Sequence, residues 1–163
     1  MKLGIGSALA AAIAAAAVAT ATAGAVVPPK TLAFTGTYSG TANVQVNDQV
    51  ANISASGTGT GSILGSSKIS GSGTGDASAQ PCVPFNGPGA LTAANGTKLI
   101  FTVVNSSQGC GDDQGQVFSL VGKATVTKGT LKLAKAKGTL KFTGVYDKGA
   151  GTFSVKFKGT LTY

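Results

Sequence analysis

The chain has 163 residues, 13 lysines, five aspartates and no Arg, Glu, His or Trp, for a net charge of +8. Without histidine, and with only Cys82 and Cys110 as thiols, it has no imidazole base for a Ser–His or Cys–His nucleophile and too few ligands for zinc. The absence of arginine forks and of Trp argues against a nucleic-acid partner, although the chain is basic.

Lys2 is followed by an apolar run, mostly alanine, from Leu3 to Val18, and then by Ala21-Thr22-Ala23 and Ala23-Gly24-Ala25, two small-x-small cleavage sites. This pattern predicts a secretory signal peptide over residues 1–25. The run is near the lower limit for a membrane span, so after cleavage no membrane partner is expected. A linker over residues 26–30 contains Pro28-Pro29, and residues 31–163 have the size of one domain. The protein is expected to be secreted, either extracellular or associated with the cell wall.

Strand-like segments then follow one another. Leu32 to Tyr38 is the first; Thr41 to Val46 and Gln49 to Ser54 flank Asn47-Asp48, read as a two-residue hairpin turn that sets Val46 opposite Gln49 and Val44 opposite Ala51. Ile53-Ser54-Ala55-Ser56-Gly57-Thr58-Gly59 is echoed sixteen residues later by Ile69-Ser70-Gly71-Ser72-Gly73-Thr74-Gly75, as two successive strands of similar build would be. Glycines at alternate positions there suit a small barrel that bends and coils. Pro81 to Gly89 reads as an irregular crossing, Thr97 to Val104 as a strand deep in the core, and Ser106 to Gly115 as a polar loop.

From Phe118 the period becomes regular: Phe118, Leu120, Gly122, Ala124 and Val126 share one face. Leu140, Phe142, Gly144 and Tyr146 form another apolar face, the Asp147–Gly151 turn follows, and Phe153, Val155, Phe157, Gly159, Leu161 and Tyr163 share the face of a long last strand. Residues 129–137 have room for one helical turn at most. The expected architecture is all-β: a single antiparallel barrel of roughly eight strands, with a β-sandwich as the alternative. In an oxidising compartment Cys82 and Cys110 are most simply one disulfide.

Nine of the 13 lysines lie between Lys123 and Lys158. Lysines on outward strand faces keep sheets apart and the protein soluble, and they also attract polyanions such as an anionic cell-wall polymer.

The segment Val126-Thr127-Lys128-Gly129-Thr130-Leu131-Lys132-Leu133-Ala134-Lys135-Ala136-Lys137-Gly138 resembles a signature of the dirigent and allene oxide cyclase barrels, roughly V-x-G-G-T-G-x-F-x-x-A-x-G. Val126, Gly129, Thr130, Ala136 and Gly138 fit; Lys128, Leu131 and Leu133 depart from Gly, Gly and Phe. With the terminal Gly159-Thr160-Leu161-Thr162-Tyr163, the stretch also looks like small exported actinobacterial proteins of that barrel type. The resemblance implies an eight-stranded antiparallel barrel with a central cavity, often assembled as a homo-oligomer. It carries no activity across, because the plant barrels use acidic residues in the cavity, with Arg and Tyr in the dirigent proteins, whereas this chain lacks Glu and Arg.

No catalytic constellation is legible, so no catalytic residue, metal or cofactor is assigned. Asp48 and Asp147 sit in predicted turns, Asp112-Asp113 is a short acidic pair in a loop, and Asp76 follows a Gly-rich strand near a barrel mouth. Phe34-Thr35-Gly36-Thr37-Tyr38 and Phe142-Thr143-Gly144-Val145-Tyr146 are near copies, so two strands present the same Phe/Gly/Tyr face. If inward, Phe34, Tyr38, Phe142 and Tyr146 are either ligand contacts in a cavity or core filling. The expected function is non-catalytic binding of a small apolar ligand. A cyclase- or dirigent-like isomerase and a structural or adhesive surface protein are the alternatives.

Overall fold

The computed structural model describes residues 28–163. The strands are β1 (Thr31–Asn47), β2 (Val50–Gly61), β3 (Gly65–Asp76), β4 (Cys82–Ala93), β5 (Lys98–Gly111), β6 (Val117–Gly129), β7 (Lys137–Asp147) and β8 (Thr152–Thr162), with a short 3₁₀ turn at Leu131–Leu133. Each strand pairs antiparallel with the next, and β8 pairs with β1, closing an eight-stranded barrel. Closure gives each described strand two partners and leaves no free sheet edge among the described residues of this Thr/Val-rich chain. At the seam, the Lys30 amide donates to the Tyr163 carbonyl at 2.8 Å and the Tyr163 amide donates back at 2.9 Å.

The barrel is strongly staggered. Stepping from Ala42 through the paired residues Ala55, Gly71, Gly89, Phe101, Val126, Gly138 and Leu161 returns to β1 at Leu32, ten residues from the start. Such a stagger tilts the strands against the barrel axis and sets the bore of an eight-stranded barrel.

The alternation of β7 and β8 stands as read: Leu140 and Phe142 on one strand and Phe153, Val155, Phe157 and Leu161 on the other are buried, between exposed Lys and Thr. The echoed segments are adjacent strands, with Ile53 opposite Gly73 and Ile69 opposite Gly57, so each isoleucine faces a residue without a side chain. Of residues 129–137 only Leu131–Leu133 is helical.

Five features differ from their sequence reading. Leu32–Tyr38 and Thr41–Val46 are one strand: Gly40 lies opposite Gly57, and a Cβ on either would strike the other strand's backbone. Gly40 therefore marks a close approach of two strands, not a break. The β1–β2 turn is Asp48-Gln49, with Asp48 at φ 56°, a left-handed position that Asp tolerates better than most residues. The pairing moves by two residues, so Val46 meets Ala51, Val44 meets Ile53 and Ala42 meets Ala55. The inner face is the one expected, and it is now apolar throughout, with no place for Gln49.

The Pro81–Gly89 stretch belongs mostly to β4, and its irregularity survives as a register shift between Phe85 and Gly87. The polar loop contracts to residues 112–116, because β5 continues through Cys110 to Gly111. Where its ladder with β6 is interrupted between Val103 and Gln108, the buried Ser107 hydroxyl takes over: it accepts from the Lys123 amide at 3.1 Å and donates to the Lys123 carbonyl at 3.3 Å. Within Thr97–Val104 only Thr97, Leu99 and Phe101 are buried, so this is a one-sided strand and not a deep one.

The two ends of the barrel are unlike. The β2–β3, β4–β5 and β6–β7 connections gather at one end with both strand termini. Phe34, Leu91, Leu99, Leu140 and Leu161, all at 0% exposure, fill it. Leu133 and Ala136, also fully buried, fold in from the β6–β7 connection as a plug. The β1–β2, β3–β4, β5–β6 and β7–β8 turns ring the opposite end, which is open.

Candidate functional site: an apolar cup in the barrel mouth

The open end holds a cavity of about 290 Å³. It exists because the inward residues are unequal around the barrel. The side built from β1 to β4 presents Ala42, Ala55, Gly71, Gly73 and Gly89 between the larger Val44, Ile53, Ile69 and Phe85. The side from β5 to β8 presents Phe101, Phe118, Phe142, Phe153 and Phe157. Small residues on one wall leave the space, and rings on the other shape it. Gly89 and Phe101 are register partners, and a Cβ on Gly89 would come 2.5 Å from the Phe101 ring. The glycine is what lets that ring lie flat against the wall.

Phe157 is the hub of the floor, with ring centroids 5.7 Å from Phe142, 5.9 Å from Phe101 and 6.0 Å from Tyr38. Phe85 reaches from β4 to within 6.2 Å of the Phe142 ring, across non-adjacent strands. Such tilted aromatic contacts favour a fixed cluster over a fluid one. The floor is therefore preformed.

Of the four aromatic residues singled out from the sequence, the structure brings Phe142 and Tyr146 to the cup and places Phe34 and Tyr38 in the packed half beneath it. The near-copied segments flank β8, Tyr38 pairing with Val155 and Tyr146 with Phe153, so the copy on β7 lies two residues nearer the mouth. Tyr38 is 1% exposed, and its hydroxyl lies 2.9 Å from that of Ser67. Burial raises its pKa, and the Ser67 bond opposes the shift. Tyr146 is half-buried, 6.2 Å from the Phe118 ring, and its pKa is raised by burial and then by the Asp147 charge.

Strand alternation turns Ser70, Ser72 and Asn86 to the outside, which leaves Gln80, Tyr146 and Lys148 as the polar side chains at the cup. The acidic candidates serve turns. Asp76 accepts from the Ser78 hydroxyl at 2.5 Å and the Ser78 amide at 3.0 Å, and these bonds lower its pKa. Asp112 accepts from the Gln116 amide at 2.8 Å, which lowers its pKa likewise, and Asp147 accepts from the Ala150 amide at 2.8 Å. Among the described residues no three His, Cys, Asp or Glu side chains converge as a metal site would require. The arrangement suits apolar contact with a few polar groups at the rim.

Cys82 and Cys110 are bonded to each other, directly opposite across β4 and β5 near the mouth. Sequence reading missed Phe85, Phe101, Phe118, Phe153 and Phe157 as cavity residues. Period two marks most of them as inward, but only the barrel's stagger decides which inward residues share a level. No family model, curated protein or solved structure matches the chain.

Proposed function

We propose that this protein is an exported barrel that holds a small apolar molecule non-catalytically in its mouth, standing near the dirigent and allene oxide cyclase group in fold. The observation that carries the reading is the preformed cup of about 290 Å³, lined by phenylalanines and open at one end. A largely apolar concavity with a few polar groups at its rim is the usual form of a small-molecule site. Its volume suits a compact hydrophobic ligand, and Gln80, Tyr146 and Lys148 offer that ligand polar contacts where it meets water.

Native mass spectrometry on protein recovered from its own host tests this, with the mass repeated under denaturing conditions. The expected result is an extra mass that disappears on denaturation. A bare chain that also fails to take up any of a panel of apolar fluorescent probes would remove the binding reading and leave a structural or adhesive role.

A further inference from the structure

Charge in this barrel is segregated by end. All five aspartates, Asp48, Asp76, Asp112, Asp113 and Asp147, lie in or beside the turns of the open mouth. Apart from Lys148, in the β7–β8 turn at the mouth, the described lysines lie toward the closed end or on the adjoining outer wall of β6 to β8. On that wall Lys123 is directly opposite Lys141, and Lys141 directly opposite Lys158. Directly opposed residues stand about 5 Å apart at Cβ, and like charges so placed repel. Lys128, Lys132, Lys135 and Lys137 continue the field around the β6–β7 connection, all exposed. Solubility alone would be served as well by mixed signs.

Near the start of that connection stands Leu131. At 65% it is the most exposed large hydrophobic residue among those described, although Leu133, two positions on, is completely buried as the plug. Leu131 has φ 51°, a left-handed conformation that glycine adopts far more easily than leucine. The chain thus holds an apolar side chain outward, in an unfavourable backbone conformation, on a connection that carries the exposed Lys128, Lys132, Lys135 and Lys137 in and beside it. It also enters β1 at this end through Lys30.

We propose that the closed end docks on a phospholipid surface carrying anionic headgroups, with Leu131 inserted and the surrounding lysines on the headgroups. Lysines alone would suit any polyanion, and Leu131 is what favours a lipid surface over a soluble polymer. The docked protein keeps its acidic rim and the mouth of its cup turned to solution. This departs from the sequence expectation of no membrane partner, because the sequence did not reveal which leucine of Leu131-Lys132-Leu133 points outward.

The test is sedimentation of the full chain with vesicles of phosphatidylcholine alone or with phosphatidylglycerol added, alongside binding to soluble polyphosphate. Whatever residues 1–27 contribute is common to every variant. Wild type should partition at least about tenfold better onto the anionic vesicles, with the preference falling steeply as salt rises. Leu131→Gly suits the backbone and should leave folding intact, yet weaken anionic-vesicle binding several-fold while polyphosphate binding stays unchanged. Lys132→Ser with Lys135→Ser should weaken both, by about fivefold per lysine on vesicles. The proposal is overturned if wild type shows no preference for anionic vesicles. It is equally overturned if Leu131→Gly binds them as wild type does, in which case lysine dependence of both ligands would identify a soluble polyanion as the partner.

Discussion

The Tyr38 and Ser67 hydroxyls lie 2.9 Å apart across β1 and β3, two strands that do not pair, and the Gly65 carbonyl lies 3.2 Å from the Ser67 hydroxyl. Both side chains are buried, and among the described residues Ser67 is the hydroxyl partner of Tyr38, whereas Ser67 also reaches the Gly65 carbonyl. Ser67→Ala should cost about 1–3 kcal/mol, because it strands a buried hydroxyl. Tyr38→Phe should cost less, and the double variant little more than Tyr38→Phe alone. Urea unfolding of the four proteins measures the coupling; simple additivity would show that the bond contributes nothing specific.

Alkaline stability follows from the same tyrosine. Burial raises the Tyr38 pKa above its ordinary 10.0, so the unfolded chain gives up its proton first as pH rises. Its contribution is fully present below about pH 10 and is lost as pH climbs through the folded value. The urea midpoint should therefore fall above pH 10, and fall less steeply in Tyr38→Phe. Equal slopes in the two proteins would mean that Tyr38 is not the group responsible.

Ala55 faces Ala42 on the small-residue wall of the cup. Ala55→Phe should fill much of the cavity from a position that has free space in front of it. We expect at least a tenfold loss of affinity for any apolar probe that wild type binds, with near-wild-type thermal stability. Retained binding would place the ligand elsewhere.

The Cys82–Cys110 bond closes a separation of 28 residues. Replacing both cysteines with serine should cost about 3 kcal/mol, chiefly by freeing the unfolded chain. Thermal melts of the oxidised, reduced and double-serine proteins check this. The reduced and double-serine proteins should agree.

Leu133→Ala removes the plug of the closed end, where the side chain is wholly buried, and should cost about 2–5 kcal/mol. Chemical denaturation is the direct measurement. A cost below about 1 kcal/mol would mean that the closed end repacks without its plug.

Much of the barrel was legible because period two survives in single strands: the faces of β6, β7 and β8 are readable residue by residue. The disulfide followed from having only two cysteines. Other features escaped for physical reasons. Gly40 looks like a breaker, and only its partner Gly57 reveals it as a close-approach position. Residues 106–111 look like loop because they are polar, yet they pair as strand, with the Ser107 hydroxyl bridging the gap in the ladder. The near copies containing Tyr38 and Tyr146 appear equivalent, but a two-residue offset along β8 seals one and leaves the other at the mouth. Register between strands is a property of pairs, and no single segment states it.

Connections alternate strictly between the two ends of this barrel, and that divides what mutation can do. Lengthening Asp48-Gln49 or residues 112–116 changes only the rim, since those turns close hairpins and contribute no plug. Lengthening residues 130–136 would displace Leu133 and Ala136 from the packed end. Natural variation can therefore accumulate around the mouth without weakening the fold, while the opposite end tolerates little. Descendants of this chain are free to diverge at the rim of the cup well before they diverge in shape.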